Sequence, residues 1–436
     1  MASEYLAWGG IHRAIDSSAR KPRSLDELRE MVSQSTPNLA FGNGRSYADQ
    51  AILNNGCIID ARNLDHALAF DKVTGKIRLE AGVLLGDIQR IGLRRGFMLS
   101  TTPGTQYVTL GGAIANDVHG KNHHAAGSIG CSVEQLAVVR STGDLVICSR
   151  NQNEKLFHAT IGGMGLTGVI AWADLQLREV PSPYLDVEVK RYRNVGDFFD
   201  IAKESESYES TVAWVDCSAR GGALGRGIFE RATYTSLESR RPGRTSLDIP
   251  LTPPISLVNR LSISAINRIY LHRTKSTWTS NTRHYTKFFY PLDHVRNWNR
   301  MYGPRGFYQF QNLLPFSEAE TALVRILELI QRSGQGSFLV VLKTFGTKSS
   351  GGYLSFPRPG ATLAIDFPNR GKKTTELLGK LLDVTMRHNG VVYPAKSAVI
   401  NLHALKSLTT RWDDFQSQRD FGFDSELMKR LENRCD

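Results

Sequence analysis

Two lysines and a pair of glutamines stand where their chemistry is conspicuous. Lys343 interrupts the apolar run Leu339-Val340-Val341-Leu342-Lys343-Thr344-Phe345. An ammonium in such a strand is costly unless it is paired or put to use. Gln309 and Gln311 alternate with Tyr308 and Phe310, so on a strand their amides face the same way. Two amides on one face suit the hydroxyls of a sugar, although glutamines more often mark an exposed strand face. Lys396, in Tyr393-Pro394-Ala395-Lys396, is placed to hold a substrate oxygen or accept its proton. The plainer reading of Lys396 is a solvated loop lysine.

Three glycine-rich clusters accompany these residues. The first is Phe41-Gly42-Asn43-Gly44-Arg45-Ser46-Tyr47. Its glycines permit positive φ, and its backbone amides can turn inward onto phosphate oxygens. No GK[ST] follows and a third glycine is missing, so it is neither a Walker A loop nor a Rossmann fingerprint. The second cluster places Pro103-Gly104-Thr105 ahead of Thr109-Leu110-Gly111-Gly112-Ala113-Ile114-Ala115-Asn116, whose small residues let backbone pass close to a flat ligand. The third is Gly162-Gly163-Met164-Gly165-Leu166-Thr167-Gly168. His119, His123 and His124 gather near Lys121, but adjacent histidines share no helical face and no Cys or Glu completes a ligand set, so no metal is expected.

In order and spacing the three clusters resemble the FAD-binding domain of the vanillyl-alcohol-oxidase family. Further strings are similar to the branch of that family that oxidises the 2'-hydroxyl of a polyprenyl-phosphate ribose: Asp117-Val118-His119-Gly120-Lys121-Asn122-His123-His124, Tyr290-Pro291-Leu292-Asp293, Trp298-Asn299-Arg300, Tyr302-Gly303-Pro304 and Leu354-Ser355-Phe356-Pro357. This similarity covers nearly the whole chain. It implies one FAD, a polyprenyl-phosphate sugar as substrate, and a separate NAD(P)H-dependent short-chain reductase that completes an epimerisation. By the same resemblance Ala40, Phe41, Gly42, Asn43, Gly44, Arg45, Ser46, Tyr47, Ala48, Asp49 and Gln50 wrap the FAD phosphates. Gly104, Thr109, Leu110, Gly111, Gly112, Asn116, Asp117, Val118, His119, Ile170 and Tyr393 line the flavin. His119 matches a position that some relatives link covalently to FAD, but in this branch the flavin is not covalently held.

Substrate contacts fall by resemblance to Gln309, Gln311, Trp214, Phe345, His119 and Lys121, and the chemistry to Lys396, Tyr47, Tyr393 and Lys343. The chain also departs from the branch. Ala364 stands where a cysteine is usual, Thr362 where an asparagine is usual, and Arg419-Asp420-Phe421-Gly422 replaces an Asp-Pro motif. Flavin chemistry needs no thiol, so these changes bear on the sugar or its lipid. An aldonolactone, sugar-alcohol or small-alcohol oxidase of the same fold is the alternative.

The elements that must hold these residues read as α+β, with many short strands rather than long βαβ units. Strands are expected at 57–60, 76–80, 136–140, 145–149 and 168–177, with helices after the capping box at Ser24 and over 85–94. Pro181-Ser182-Pro183 marks a junction. Beyond it, strands at 185–190, 211–216, 338–344 and 361–366 and helices at 195–204, 317–333 and 373–388 suit an antiparallel sheet covered by helices. The expected division is a FAD-binding domain over 1–182, completed by 390–436, and a substrate domain over 183–389. The stretch 237–279 resists assignment and reads as a mobile lid, a membrane-facing loop or an ordinary insertion.

With 436 residues, two domains are the natural prior. Five scattered cysteines, Cys57, Cys131, Cys148, Cys217 and Cys435, form no CxxC pair, which favours a reducing cytoplasm over a disulfide framework. The first twenty residues lack the apolar stretch of a secretory signal. A net charge of +12 suits an anionic partner, and its densest basic group begins at Arg240, Arg241 and Arg244. No nucleic-acid motif accompanies that charge. A cytoplasmic enzyme in peripheral contact with the inner face of the plasma membrane is therefore expected. The clusters also predict a yellow protein with one FAD per chain. Acid precipitation is expected to leave the flavin in the supernatant, and flavin retained in the pellet contradicts the non-covalent attachment.

Overall fold

Residues 5–237 and 247–433 are described by a computed structural model. Arg240, Arg241, Arg244 and Cys435, singled out above, lie outside the described residues. The architecture is α+β, built around two antiparallel sheets and one small parallel sheet. The parallel sheet places Cys57–Asp60 between Ser18–Arg20 and Asn38–Phe41. The first glycine cluster leaves the last of these strands at its C-terminal end. The five-stranded antiparallel sheet runs Ala67–Phe70, Lys76–Glu80, Val169–Gln176, Val133–Val139, Leu145–Ser149. The second glycine cluster forms the short helix Leu110–Ala115 against it, capped by the Thr109 side chain.

The larger sheet has eight antiparallel strands, in the order Thr279–His284, Tyr184–Tyr192, Gly227–Thr235, Ser210–Val215, Val340–Phe345, Gly360–Pro368, Phe307–Leu314, Val391–Val392. One face is apolar and is covered by Val195–Glu204, Phe316–Ser333 and Lys372–Arg387. Each of these helices buries a stripe at helical spacing, for example Ala319, Leu323, Ile326 and Ile330. The other face is set by register. Gln309 pairs with Asp366, Gln311 with Ala364, Ala364 with Val341, and Val341 with Trp214. Because side chains alternate along a strand, directly opposed residues share a face, so this row crosses four strands on the side away from the helices.

Most expected elements recur with shifts of a residue or two. The strands Gly227–Thr235 and Thr279–His284 are additions. The unassigned stretch contains the helix Arg260–Arg273, started by a capping box between Asn259 and Ser262.

The last segment ties both regions together. Val391–Val392 joins the edge of the large sheet beside Phe307–Leu314. Asp420 accepts from the Ser141 amide at 2.8 Å, beside the five-stranded sheet. The helix Glu426–Glu432 brings Arg430 to Asp49, with Nε donating to Oδ2 at 2.7 Å. Asp49 is buried, whereas Arg430 keeps some contact with water. Asp49→Ala is expected to cost roughly 2–3 kcal/mol, somewhat below a fully buried pair, because the stranded cation is partly solvated. The shift of the urea midpoint with saturating FAD measures this, and an unchanged midpoint contradicts it.

Candidate functional site

Between the two antiparallel sheets lies a cavity of about 960 Å³, lined from both sides. This is the upper end of the range of roughly 300–1,000 Å³ typical of cofactor and ligand sites. One wall comes from the glycine clusters, the other from the polar row of the large sheet. The rim includes Ile266 and Tyr270 of the helix Arg260–Arg273.

The first wall has the features of a cradle. The backbone amides of residues 42–46 have no acceptor among the described residues. Gly44 has φ +58, which turns the chain there. A Cβ on Gly42 would collide with Thr109 Oγ1, so this loop and the second cluster meet only because Gly42 has no side chain. At Gly104 a Cβ would meet nothing within 4 Å and would project into the cavity. The Arg45 guanidinium lies 4.1 Å from the Trp8 ring and its buried Nε has no partner among the described residues. Asn116 is held by Gln50, whose Nε2 donates to its Oδ1 at 3.2 Å, and donates its own Nδ2 to Gly112 O at 2.9 Å. Free amides, an unpaired guanidinium nitrogen and backbone without side chains fit a long ligand carrying phosphates, as FAD is.

The second wall carries titratable groups in dry surroundings. Burial, with Lys396 and Lys121 nearby, pushes Lys343 down to about 7. Burial pushes Lys396 down to about 8 against the opposing pull of Asp366. Asp366 is pushed up to about 7 by burial, although Gln309, Lys396 and Tyr302 favour its charged form. Lys121 comes down to about 8 through burial. His119 is held well below its ordinary value by burial and then by Lys343 and Lys396, so its ring is neutral. Burial raises the phenols of Tyr47 and Tyr393, which therefore stay protonated. Tyr393 Oη donates to Asn116 O at 2.7 Å, joining the two walls.

Two glutamine carbonyls are left free. Thr362 donates to Asn312 O at 2.6 Å, so its oxygen is available to accept from Gln311 Nε2 at 2.9 Å. The same Gln311 nitrogen lies 3.0 Å from His119 Nε2, and Lys343 Nζ lies 3.4 Å from His119 Nδ1. A neutral imidazole donates from one nitrogen and accepts at the other. Accepting from Gln311 at Nε2 puts the ring proton on Nδ1, which the Lys343 amine can meet only in its unprotonated form. Gln309 Nε2 donates to Asp366 Oδ1 at 2.5 Å. Gln309 Oε1 and Gln311 Oε1 then remain buried without partners among the described residues. Leaving such acceptors unmet costs about 1–3 kcal/mol each, and a hydroxylated ligand removes that cost.

Tyr47, Tyr393, Lys343, Lys396, Gln309, Gln311, Trp214, His119 and Lys121 all line the cavity, as do Ala40, Phe41, Gly42, Asn43, Gly44, Arg45, Ser46, Gln50, Gly104, Thr109, Gly111, Gly112, Asn116, Val118 and Ile170. Five residues do not. Asp49 faces Arg430, and Ala48 is buried beside it. Leu110 is core and anchors its helix through Val83 O. Asp117 accepts from the Gly130 amide at 3.0 Å and from Ser350 Oγ at 2.6 Å, fixing a turn behind the wall. Phe345 packs behind the site, 4.7 Å from the His119 ring and 4.2 Å from that of His123. These five support the site rather than face its contents. Sequence reasoning missed Asp366. The signal was available: a carboxylate within Ala361-Thr362-Leu363-Ala364-Ile365-Asp366-Phe367 is as anomalous as Lys343 in its strand.

The FAD binding domain family matches residues 19–149, which contain the cradle. Decaprenylphosphoryl-β-D-ribose oxidase of Mycolicibacterium smegmatis is 32% identical over 418 residues, 90% of this chain and 89% of that protein. The chain belongs to the family of this FAD-dependent oxidase. L-gulonolactone oxidase of Mus musculus is 27% identical over 179 residues, 40% of each chain. Cytokinin dehydrogenase 3 of Arabidopsis thaliana is 24% identical over 219 residues, 48% of this chain and 41% of that protein. This family member is an FAD-dependent oxidoreductase acting on alcohol groups.

The electrostatics of the second wall can be read without turnover. Pulse acylation of amines, quantified by mass spectrometry across pH, is expected to give midpoints near 7 for Lys343 and 8 for Lys396. In Asp366→Asn the charge that raises Lys396 is gone, so its midpoint moves to lower pH. Midpoints at the ordinary lysine value contradict the burial of these amines.

Proposed function

We propose that this flavoenzyme oxidises the 2'-hydroxyl of a polyprenyl-phosphate pentose to a ketone. The observation that carries the reading is the pair of unpartnered carbonyls, Gln309 Oε1 and Gln311 Oε1, on the wall that also holds Lys343 and Lys396. On one strand face two residues apart, the glutamines stand about 7 Å from each other along the strand. Two acceptors so placed suit neighbouring hydroxyls of a sugar ring. The likeness to the ribose oxidase supports the same substrate class over nearly the full chain.

The reaction removes two electrons, a carbon-bound hydrogen and a hydroxyl proton. When bound, FAD supplies the acceptor for the carbon-bound hydrogen with its electron pair. The chain's own residues orient the alcohol and receive the proton. Gln309 and Gln311 accept from hydroxyls, and Lys343 and Lys121 place positive or hydrogen-bonding groups beside them. Lys396 accepts the proton as a neutral amine, which its depressed pKa makes accessible near neutral pH. Tyr47, held protonated, donates to the oxygen as charge develops on it, while Tyr393, whose proton is engaged by Asn116 O, holds the two walls together beside it. The keto product calls for a separate NAD(P)H-dependent reductase to deliver the epimeric alcohol. An aldonolactone or sugar alcohol is the second reading, favoured by the likeness to L-gulonolactone oxidase over the shared 179 residues.

Anaerobic mixing with a polyprenyl-phosphate ribose is expected to bleach the flavin, while gulonolactone and free pentoses leave it oxidised. The bleaching rate should rise with pH through an apparent pKa near 8 and then level off. Lys396→Met should abolish that rise and slow the step by about 10²–10³. The product should be the keto sugar, with the epimer formed only after addition of the reductase. Bleaching by gulonolactone alone transfers the assignment to the second reading.

A further inference from the structure

The helix Arg260–Arg273 carries two apolar stripes. Ile263, Asn267 and Leu271 recur every fourth residue and are buried. Asn267 Nδ2 donates to Asp216 Oδ1 at 2.8 Å, which fixes this stripe to the protein. The second stripe, Ile266, Ile269, Tyr270 and Arg273, follows the i, i+3, i+4, i+7 spacing of one helix face. Ile266 and Tyr270 line the cavity rim, whereas Ile269 is 54% exposed. Leu261, at the start of the helix, is 83% exposed, and Ile255 and Leu251 before it are 72% and 79% exposed.

Charge accompanies this apolar surface. Between Asp248 and Asp293 the sequence holds no Asp or Glu; Arg260, Arg268, Arg273 and Lys275 lie on the helix or just after it, whereas Arg283 is paired with Glu230 and, like Lys287, lines the cavity. Among the described residues no helix is long and apolar enough to cross a membrane.

We propose that this surface docks on an anionic lipid bilayer and turns the cavity mouth toward it. Interfacial binding requires side chains that enter the acyl boundary and cations that meet acidic headgroups, and this helix and its approach supply both. A second copy of the chain is the poorer occupant. A two-fold interface sets a patch against itself, so Arg260, Arg268, Arg273 and Lys275 would confront their own copies. The proposal deepens the lipid-phosphate reading and rests on it only for the orientation of the mouth.

Flotation of the full-length, FAD-loaded protein tests it. Vesicles of phosphatidylcholine are compared with vesicles that also contain phosphatidylglycerol, at low and high salt. Wild type is expected to float with the acidic vesicles at low salt and to be released at high salt. Arg260→Ser with Arg268→Ser should weaken binding about thirtyfold, the effect of two cations near a charged leaflet. Leu261→Glu with Ile269→Glu should weaken it about tenfold or more, with flavin content and melting temperature unchanged. None of these four residues lines the cavity. Wild type that ignores acidic vesicles overturns the proposal, as does an L261E/I269E variant that floats like wild type. A switch from dimer to monomer in light scattering, without loss of flotation, assigns the patch to a second copy and also overturns it. Flotation with no turnover of a detergent-solubilised polyprenyl-phosphate pentose leaves docking standing and sinks the substrate reading alone.

Discussion

Desolvation of charge on one face of the eight-stranded sheet is the constraint around which the site is organised. A carboxyl and two amines are buried there together, and burial is the largest influence on each. In water all three would be ionised. Here the amines hold their protons more weakly and the carboxyl holds its proton more tightly, so all three exchange near neutrality, because the low-dielectric wall penalises every charge and their mutual interactions compensate only in part. The strands that carry the group are held in register by an apolar opposite face sealed by three helices. A proton acceptor made from a lysine thus depends on packing some distance from it.

The two walls meet different requirements. The glycine side must expose backbone donors and bring chain close to a flat ligand, so it is made by omission: no side chain at Gly42 or Gly104, and no acceptor among the described residues for the amides of residues 42–46. The sheet side must aim side chains, so it is made by register. Thr362 shows how finely that aim is set. Its hydroxyl anchors the Gln311 nitrogen and so determines which end of Gln311 stays free. Ala364, the next inward residue of the same strand, contributes space rather than a contact.

Much of this was legible in the sequence, and what was hidden was hidden for physical reasons. Glycine clusters reveal a cofactor wall because the requirement for absent side chains leaves few residues to choose from. Lys343 was legible because a lysine in an apolar strand is anomalous by itself. Asp366 was equally anomalous, but it gains its meaning from Gln309 and Lys396, which are brought beside it by strand pairing between segments distant in the chain. Asp49 and Phe345 sit within motifs that face a ligand, yet Asp49 begins a 3-10 turn that meets Arg430, and Phe345, on the same strand face as Lys343, is covered by the rings of His119 and His123. The helix Arg260–Arg273 escaped assignment because its buried stripe includes Asn267, which breaks the apolar periodicity while a hydrogen bond to Asp216 fixes it.

The terminal segment has a consequence for biosynthesis. Tyr393, Ala395 and Lys396 close the cavity, and the Tyr47 amide bonds to Ala395 O at 3.0 Å. The phosphate cradle is therefore translated long before the residues that shut it in. A nascent chain has the cradle and most of the large sheet but lacks the final edge strand and the Arg430 clamp, so it presents an open groove to any flavin it meets. Long-range closures of this kind form late, because loop entropy must be overcome before their contacts compensate for it. Retention of the cofactor is thus coupled to completion of translation, and a ribosome that stalls before Lys396 releases a chain with a half-built groove.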